Sequence, residues 1–165
     1  GGISTLPWTY EGKVGRMAYK TLRYPGHVEI VRAIRDLGLL DTEPVEVKGV
    51  RVVPRDLFLA VAGPRLTKPE MRDLVALRVE VTGRRGDRRV RQVWECVDRY
   101  DEATGLSAME RTTGFTLSIV GLFLARGVIA ERGVRTPDEV VPADPLVAEL
   151  GARGVRIAYR EEPAA

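Results

Sequence analysis

The stretch LVALRVEVTGRRGDRRVRQVWECVDRY, residues 74–100, decides how this chain folds. Apolar and polar side chains alternate along Leu74–Thr82 and again along Arg88–Tyr100, which is the period of a β-strand with two different faces. Gly83 and Gly86 lie between the two runs, and glycine is favoured where the chain reverses. The stretch therefore predicts an antiparallel hairpin.

Further periodic runs on both sides of this hairpin predict three more strands and four helices. The predicted strands are Lys13–Leu22, Pro44–Val53 and Val155–Tyr159, and the predicted helices are His27–Leu37, Arg55–Ala62, Gly114–Ala125 and Pro145–Leu150. The first ten residues are expected to form a loop, Gly63–Pro64 to end the second helix, and residues 161–165 to fray. Together these elements predict an α+β fold, with a mixed, largely antiparallel sheet and flanking helices.

Composition excludes several classes of protein. The chain has 165 residues, 44% of them hydrophobic and 30% charged, with a net charge of only +3. Its one cysteine, Cys96, and its one histidine, His27, exclude an internal disulfide framework and a cysteine/histidine zinc site. The basic run at residues 84–89 is interpreted as a solvated hairpin tip, so no nucleic-acid partner is expected.

Membrane and cofactor motifs are missing as well. The longest uncharged stretch, Thr112–Ala125, has 14 residues, fewer than the roughly 20 that cross a bilayer. Without a signal-like N-terminus, the sequence predicts a cytoplasmic protein with no membrane partner. It contains no GxGxxG after a strand, no P-loop and no serine in a G-x-S-x-G elbow.

The segment TLRYPGH, residues 21–27, brings Arg23, Tyr24 and His27 to the junction of a predicted strand and a predicted helix. The first amides of a helix attract anions, and an arginine can hold a carboxylate through two parallel hydrogen bonds. In the first turn His27 would stay neutral, because the helix dipole disfavours its protonated form. The alternative is that Arg23 pairs with a structural acid and His27 only caps the helix.

The segment MERTTGF, residues 109–115, is the second unusual feature. Thr112 or Thr113 is predicted to cap the apolar helix by accepting hydrogen bonds from its first amides. Gly114 would let a ligand approach the backbone closely, because glycine has no Cβ. A close packing contact against another part of the protein would explain the same residues equally well.

At these two segments the sequence resembles a known family. TLRYPGH followed by VEIVRAIRDLGLLD is similar to the C-terminal region of the saccharopine dehydrogenase family. The resemblance extends to GGISTLPWTYEGKV upstream, to DLVALRVEVTG in the middle, and to RTTGF and GVRTPDEVV downstream. These motifs occur in the family's order over about residues 1–141. Within the family the chain resembles the saccharopine reductase and lysine 6-dehydrogenase-like members, above all the latter.

The resemblance implies an enzyme of two parts. Family members have an N-terminal Rossmann domain that binds NAD or NADP, followed by an α+β domain for substrate binding and dimerisation. Because this chain lacks the Rossmann fingerprint, we expect it to be a C-terminal fragment, inactive alone, of an NAD(P)-dependent amino-acid dehydrogenase acting on a CH–NH bond. Residues 1–110 would form the substrate-binding and dimerisation domain. Residues 111–165 would form a helical segment that packs back on the dinucleotide-binding domain.

The resemblance also suggests which residues meet the substrate, although it identifies no proton-transfer residue. Arg23 would bind the substrate carboxylate, and Tyr24 and His27 would be its hydrogen-bonding neighbours. Two further sets of residues complete the expected site. Thr112, Thr113 and Gly114 would form a wall facing substrate or nicotinamide, and Ser4 and Thr5 in the GGIST loop are weaker candidates.

The expected partners are an amino-acid substrate and a second copy of the chain. A homodimer is expected because the uncharged helix leaves apolar surface that one copy cannot easily cover, and such surface marks interfaces. NAD or NADP would be bound mainly by the other domain, and none by this chain alone. The alternative function is a stand-alone, non-catalytic α+β interaction module.

Overall fold

A computed structural model of the chain describes residues 3–67 and 72–164. Its elements are, in chain order, α1 (Leu6–Thr9), α2 (His27–Asp36), β1 (Val45–Val47), β2 (Val50–Val52), α3 (Pro54–Leu66), β3 (Leu74–Arg85), β4 (Arg88–Arg99), α4 (Ala108–Ala125), α5 (Pro137–Val140), α6 (Ala143–Ala152) and β5 (Ile157–Pro163). Residues 21–67 form one compact unit, and the remaining described residues form another. Every strand pairing in these residues is antiparallel, which confirms the predicted α+β class.

The larger unit is built on a three-stranded antiparallel sheet with the order β3-β4-β5. The predicted hairpin is confirmed: β3 pairs with β4 from Leu74 opposite Arg99 to Arg85 opposite Arg88. The turn between them is Gly86–Asp87, and Gly86 has φ +61°, a conformation that favours glycine. This turn fixes the register that places apolar residues of both strands on one face.

One face of the sheet carries a lattice of ion pairs. Arg91 on β4 contacts Glu80 on β3 at 2.8 Å and Glu162 on β5 at 3.7 Å, so the lattice crosses all three strands. Further pairs join arginines and glutamates on the same face: Arg78 with Glu80 and Glu95, and Arg160 with Glu95 and Glu162. Val93, opposite Glu80, is completely buried beneath these long side chains.

The other face carries the core. Helices α4 and α6 pack against each other, and α4 also packs against β3 and β4. The buried cluster at this interface consists of Cys96, Ile119, Phe123, Ile129, Leu150 and Val155. Burial raises the pKa of the Cys96 thiol, so this residue belongs to the core rather than to reactive surface. None of the described helices is long and apolar enough to span a membrane.

Three predictions near the two ends of the chain are wrong. Residues 13–22 form no strand, and Tyr19 (55% exposed) and Leu22 (68%) lack a neighbouring strand in the described parts of the chain. The first ten residues are not all loop, because they include the single turn α1. The end does not fray before Pro163, because Glu161 and Glu162 continue β5 opposite Gln92 and Arg91.

In the smaller unit, helix α2 confirms the prediction for His27–Leu37. It begins directly after Gly26, with φ +85°, and ends before Gly38, with φ +76°. The apolar side chains that gave the helical period are exposed or half-buried, and none of the described residues of this unit is buried. The bounds of helix α2 along the chain therefore follow from its local sequence, since no buried core within this unit contributes to them.

Two boundaries in the smaller unit differ from prediction. Pro44–Val53 is not one strand but the hairpin β1–β2, because Lys48 (φ +50°) and Gly49 (φ +81°) form a two-residue turn. Helix α3 runs through Gly63–Pro64 instead of ending there. Gly63 has no Cβ to clash with the proline ring, and a proline in the last turn sacrifices only one helical hydrogen bond.

Candidate functional site

The residues predicted to form the site fall into both compact units. Arg23, Tyr24 and His27 belong to the unit of residues 21–67, at the start of α2. The other five candidates belong to the larger unit: Ser4, Thr5, Thr112, Thr113 and Gly114. Each group therefore has its own local structure, and the two are considered in turn.

The Arg23 group is open to solvent. Tyr24 is 82% exposed, and its carbonyl oxygen accepts a hydrogen bond from the backbone N–H of His27 at 3.2 Å. The guanidinium of Arg23 donates to the carbonyl oxygen of Leu22 at 3.2 Å. Among the described residues of its own unit, 21–67, no acidic side chain lies within 4 Å of it, so the predicted alternative of a structural ion pair finds no support within that unit.

The Thr112–Gly114 group lies inside α4 rather than at its start. The helix begins at Ala108 and is capped by Ser107, whose hydroxyl accepts from the Glu110 N–H at 3.1 Å, while the Glu110 carboxylate accepts from the Ser107 N–H at 2.8 Å. The Ser107 backbone N–H and then its hydroxyl hold the pKa of Glu110 below its usual range. Asp73 accepts from two further helix-start amides, those of Ala108 (2.6 Å) and Met109 (2.9 Å). All of this capping precedes Thr112.

The predicted capping role of Thr112 and Thr113 is therefore wrong. The Thr112 hydroxyl donates to the Ala108 carbonyl oxygen one turn back, at 2.8 Å, and the Thr113 hydroxyl donates to the sulfur of Met109 at 3.5 Å. Gly114 is exposed, and a Cβ built on it would meet nothing within 4 Å in the described chain. The described residues therefore show no close packing contact that would explain this glycine, and the backbone of Gly114 is open to approach.

Sequence reasoning missed Arg111, the buried residue that holds this segment to the sheet. Its Nε donates to Asp98 Oδ2 at 2.9 Å and its Nη1 to Asp101 Oδ2 at 2.9 Å. The bond to Asp98 is the main cause of a raised Arg111 pKa. A Cβ on Gly154 would lie 3.4 Å from Arg111 Nη2, in ordinary contact with the guanidinium, and it is the backbone φ of +84° that favours glycine there. Arg111 precedes Phe115, Ile119 and Phe123 at intervals of four residues, and this spacing was the signal that could have placed it on the buried side of α4.

The two GGIST candidates differ from each other. The Thr5 hydroxyl donates to Asp138 Oδ1 at 3.0 Å, whereas Ser4 is exposed. The hydroxyls of Thr9 and Thr5 hold the pKa of Asp138 below its usual range, so this carboxylate is ionised at neutral pH. Thr5 therefore ties the start of the chain to α5, which is a structural role.

A shallow cavity of about 360 Å³ lies beside this contact, lined by Thr5, Trp8, Thr9, Thr136 and Glu139. It offers hydroxyls, one aromatic ring and one carboxylate, and no cationic side chain lines it. In the described residues no three histidine, cysteine, aspartate or glutamate side chains cluster in a way that could hold a metal ion. The cavity and the Arg23 group therefore differ in charge, and only the latter suits an anion.

The family comparison agrees with the motifs. The model of the family described as "Saccharopine dehydrogenase C-terminal domain" matches residues 3–155 of the 165. The matched range includes TLRYPGH, the hairpin β3–β4 and the RTTGF segment of α4. It ends just before β5. This chain belongs to the saccharopine dehydrogenase family of oxidoreductases and corresponds to the C-terminal domain of that family.

Proposed function

We propose that this chain is the substrate-binding and dimerisation domain of an NAD(P)-dependent dehydrogenase that acts on the CH–NH bond of an amino acid. In the lysine 6-dehydrogenase-like form of the proposal, the enzyme oxidises the bond between the ε-carbon and the nitrogen of L-lysine. The family match supports the oxidoreductase class. The observation that carries the substrate class is the exposed Arg23 guanidinium.

Arg23 suits a carboxylate for three reasons. Its guanidinium carries a positive charge, and its planar fork can donate two parallel hydrogen bonds to one carboxylate. Its only described hydrogen bond, to the Leu22 carbonyl oxygen, leaves most of its donors available. Tyr24 and His27, which follow Arg23 within four residues, can add hydrogen bonds to the same ligand.

In the proposed reaction, this chain orients the substrate and does not itself carry out the redox step. When bound, a nicotinamide cofactor would supply the redox chemistry, as the acceptor of a hydride from the carbon of the C–N bond. A dinucleotide site of the usual kind needs a parallel strand–helix–strand unit, whereas the sheets in the described residues are antiparallel. The proposal therefore assigns NAD or NADP to a separate dinucleotide-binding domain.

The exposed side of α4 near its second turn is the second surface that the proposal uses. Thr113 and Gly114 are exposed there, and the open space at Gly114 admits a large neighbour to van der Waals distance of the backbone. Thr112 is half-buried and its hydroxyl is engaged within the helix. The proposed wall facing substrate or nicotinamide therefore consists of Thr113 and Gly114, with Thr112 in support.

The proposal includes a cytoplasmic location and no nucleic-acid partner. The unpaired, buried Cys96 is compatible with a reducing compartment. Several arginines that could contact phosphates on the hairpin pair instead with glutamates of the sheet, for example Arg85 with Glu161 at 2.8 Å and Arg91 with Glu80. These ion pairs lower the positive charge that the sheet presents to a nucleic acid.

The test is Arg23→Leu in the complete enzyme that contains this domain. Each hydrogen bond to a charged group contributes roughly 1.5–3 kcal/mol, so kcat/KM should fall about 10-fold to several hundred-fold. Affinity for NAD(P) should not change, and Arg23→Lys should restore part of the loss. Arg32→Leu, which removes another exposed arginine of the same unit, is the matched control. A fully active Arg23→Leu enzyme would remove Arg23 from the site.

A further inference from the structure

Strand β3 is an unprotected edge of the three-stranded sheet. Strand β4 pairs along one side of all 12 residues of β3, and in the described residues no strand pairs along the other side. A free edge of this length presents a row of N–H and C=O groups that can pair with another strand. The register with β4 has no break, and β3 contains no proline that would block such pairing.

The sequence of β3 is complementary to itself. We propose that β3 pairs antiparallel with β3 of a second copy of this chain, about a twofold axis through Val79. In that register Val79 faces Val79 of the other copy, Leu77 faces Val81, and Arg78 faces Glu80. Over residues 77–81 each apolar side chain thus meets an apolar one and each charge meets its opposite, in two symmetric sets. Beyond them Ala76 faces Thr82 and Val75 faces Gly83, and the mismatch of Leu74 with Arg84 lies at the end of the strand.

Neighbouring registers lack this complementarity. An axis through Arg78 would place two arginines directly opposite each other, and an axis through Glu80 would place two glutamates there. Like charges directly opposite on paired strands are destabilising. An axis between two residues would join the apolar face of one sheet to the ion-pair face of the other, because side chains alternate between faces.

The proposed pairing continues features that each copy already has. Leu77, Val79 and Val81 are 51%, 45% and 50% exposed on the core face of the sheet, and in the dimer they form one stripe across the axis. Arg78 and Glu80 are already members of the ion-pair lattice on the opposite face, so the lattice extends across the axis as well. The result is a continuous six-stranded sheet. This inference rests on the dimerisation role in the proposed function. Because the pairing needs neither substrate nor cofactor, its failure would leave the proposed reaction untouched.

The first test is disulfide trapping of the full 165-residue chain with Val79→Cys under mild oxidation. Residues that face each other on antiparallel strands have Cβ atoms about 4.5–5.5 Å apart, close enough for a disulfide after a small adjustment. Val81→Cys is the matched control, because Val81 shares the face and exposure of Val79 but lies opposite Leu77. The native Cys96 is buried at 4% exposure and should not react.

We expect covalent dimers for Val79→Cys and few or none for Val81→Cys. Equal trapping of the two variants, or none of either, would overturn the proposed axis. Sedimentation equilibrium then tests the free dimer: Val79→Lys, which places two ammonium groups face to face, should raise the dimer dissociation constant about 10-fold or more relative to Val81→Lys. A wild-type chain that is still monomeric at about 100 μM would overturn the proposal itself.

Discussion

The two motif segments, TLRYPGH and MERTTGF, each combine an arginine with the beginning of a helix, yet their surroundings are opposite. Arg23 precedes a helix in a unit without one buried described residue, and its side chain is exposed. Arg111 lies in a helix packed on a sheet, where two aspartates enclose its guanidinium. The comparison teaches that burial and ion pairing distinguish an arginine that holds the fold together from one whose donors stay available to a ligand.

The largest expected effect is a difference in stability between two isoleucine-to-alanine substitutions, one in α4 and one in α2. Ile119→Ala in α4 empties a completely buried position and should cost about 4 kcal/mol of unfolding free energy. Ile30→Ala in α2, where the side chain is 63% exposed, should change it by less than about 0.5 kcal/mol. Urea unfolding followed by circular dichroism measures both. Equal losses would mean that α2 is as well packed as α4.

The next effect contrasts the two arginines. Arg111→Met keeps most of the side-chain volume but leaves Asp98 buried without its partner, which should cost about 3 kcal/mol. Arg23→Met should leave the unfolding free energy within about 0.5 kcal/mol of wild type, because Arg23 is exposed. Arg126→Met serves as a control for loss of an exposed arginine of the larger unit. A stable Arg111→Met chain would contradict the structural role of Arg111.

A smaller effect concerns the start of α4. Ser107→Ala removes the hydroxyl that accepts from the Glu110 N–H, and loss of such a cap costs about 1 kcal/mol. Thr113→Ala, at a position predicted to cap but found inside the helix, should cost less than Ser107→Ala. Thermal unfolding of the two variants side by side measures the difference. If Thr113→Ala were the more destabilising of the two, the hydroxyl of Thr113 rather than that of Ser107 would be capping the helix.

Much of the fold could be predicted because its signals are local. The alternation along β3 and β4, and the apolar spacing in α2 between Gly26 and Gly38, each lie within one element. The false strand at residues 13–22 alternated in the same way, but a strand also requires a partner, which local sequence does not reveal. The hairpin turn Lys48–Gly49 was missed because valines alternate with charged residues on both sides of it, and the whole segment therefore resembled one strand.

The site was harder to predict than the fold. The start of α4 depends on Asp73, which lies 35 residues before the Ala108 amide that it caps. Arg111 looked like the polar boundary of an apolar helix, since only the fold brings Asp98 and Asp101 to it. In contrast, Arg23, Tyr24 and His27 could be placed together from sequence, because they are within one turn of each other.

The central claim is that Arg23 binds the carboxylate of the substrate, and a substrate lacking that group tests it most directly. The measurement is kcat/KM of the wild-type and Arg23→Leu complete enzymes, each with L-lysine and with 1,5-diaminopentane, its analogue without the carboxylate. We predict that Arg23→Leu loses about 10-fold or more with L-lysine, whereas the two enzymes agree within about twofold with the diamine. An equal loss with both substrates would contradict the claim, because Arg23 would then act on something other than the carboxylate.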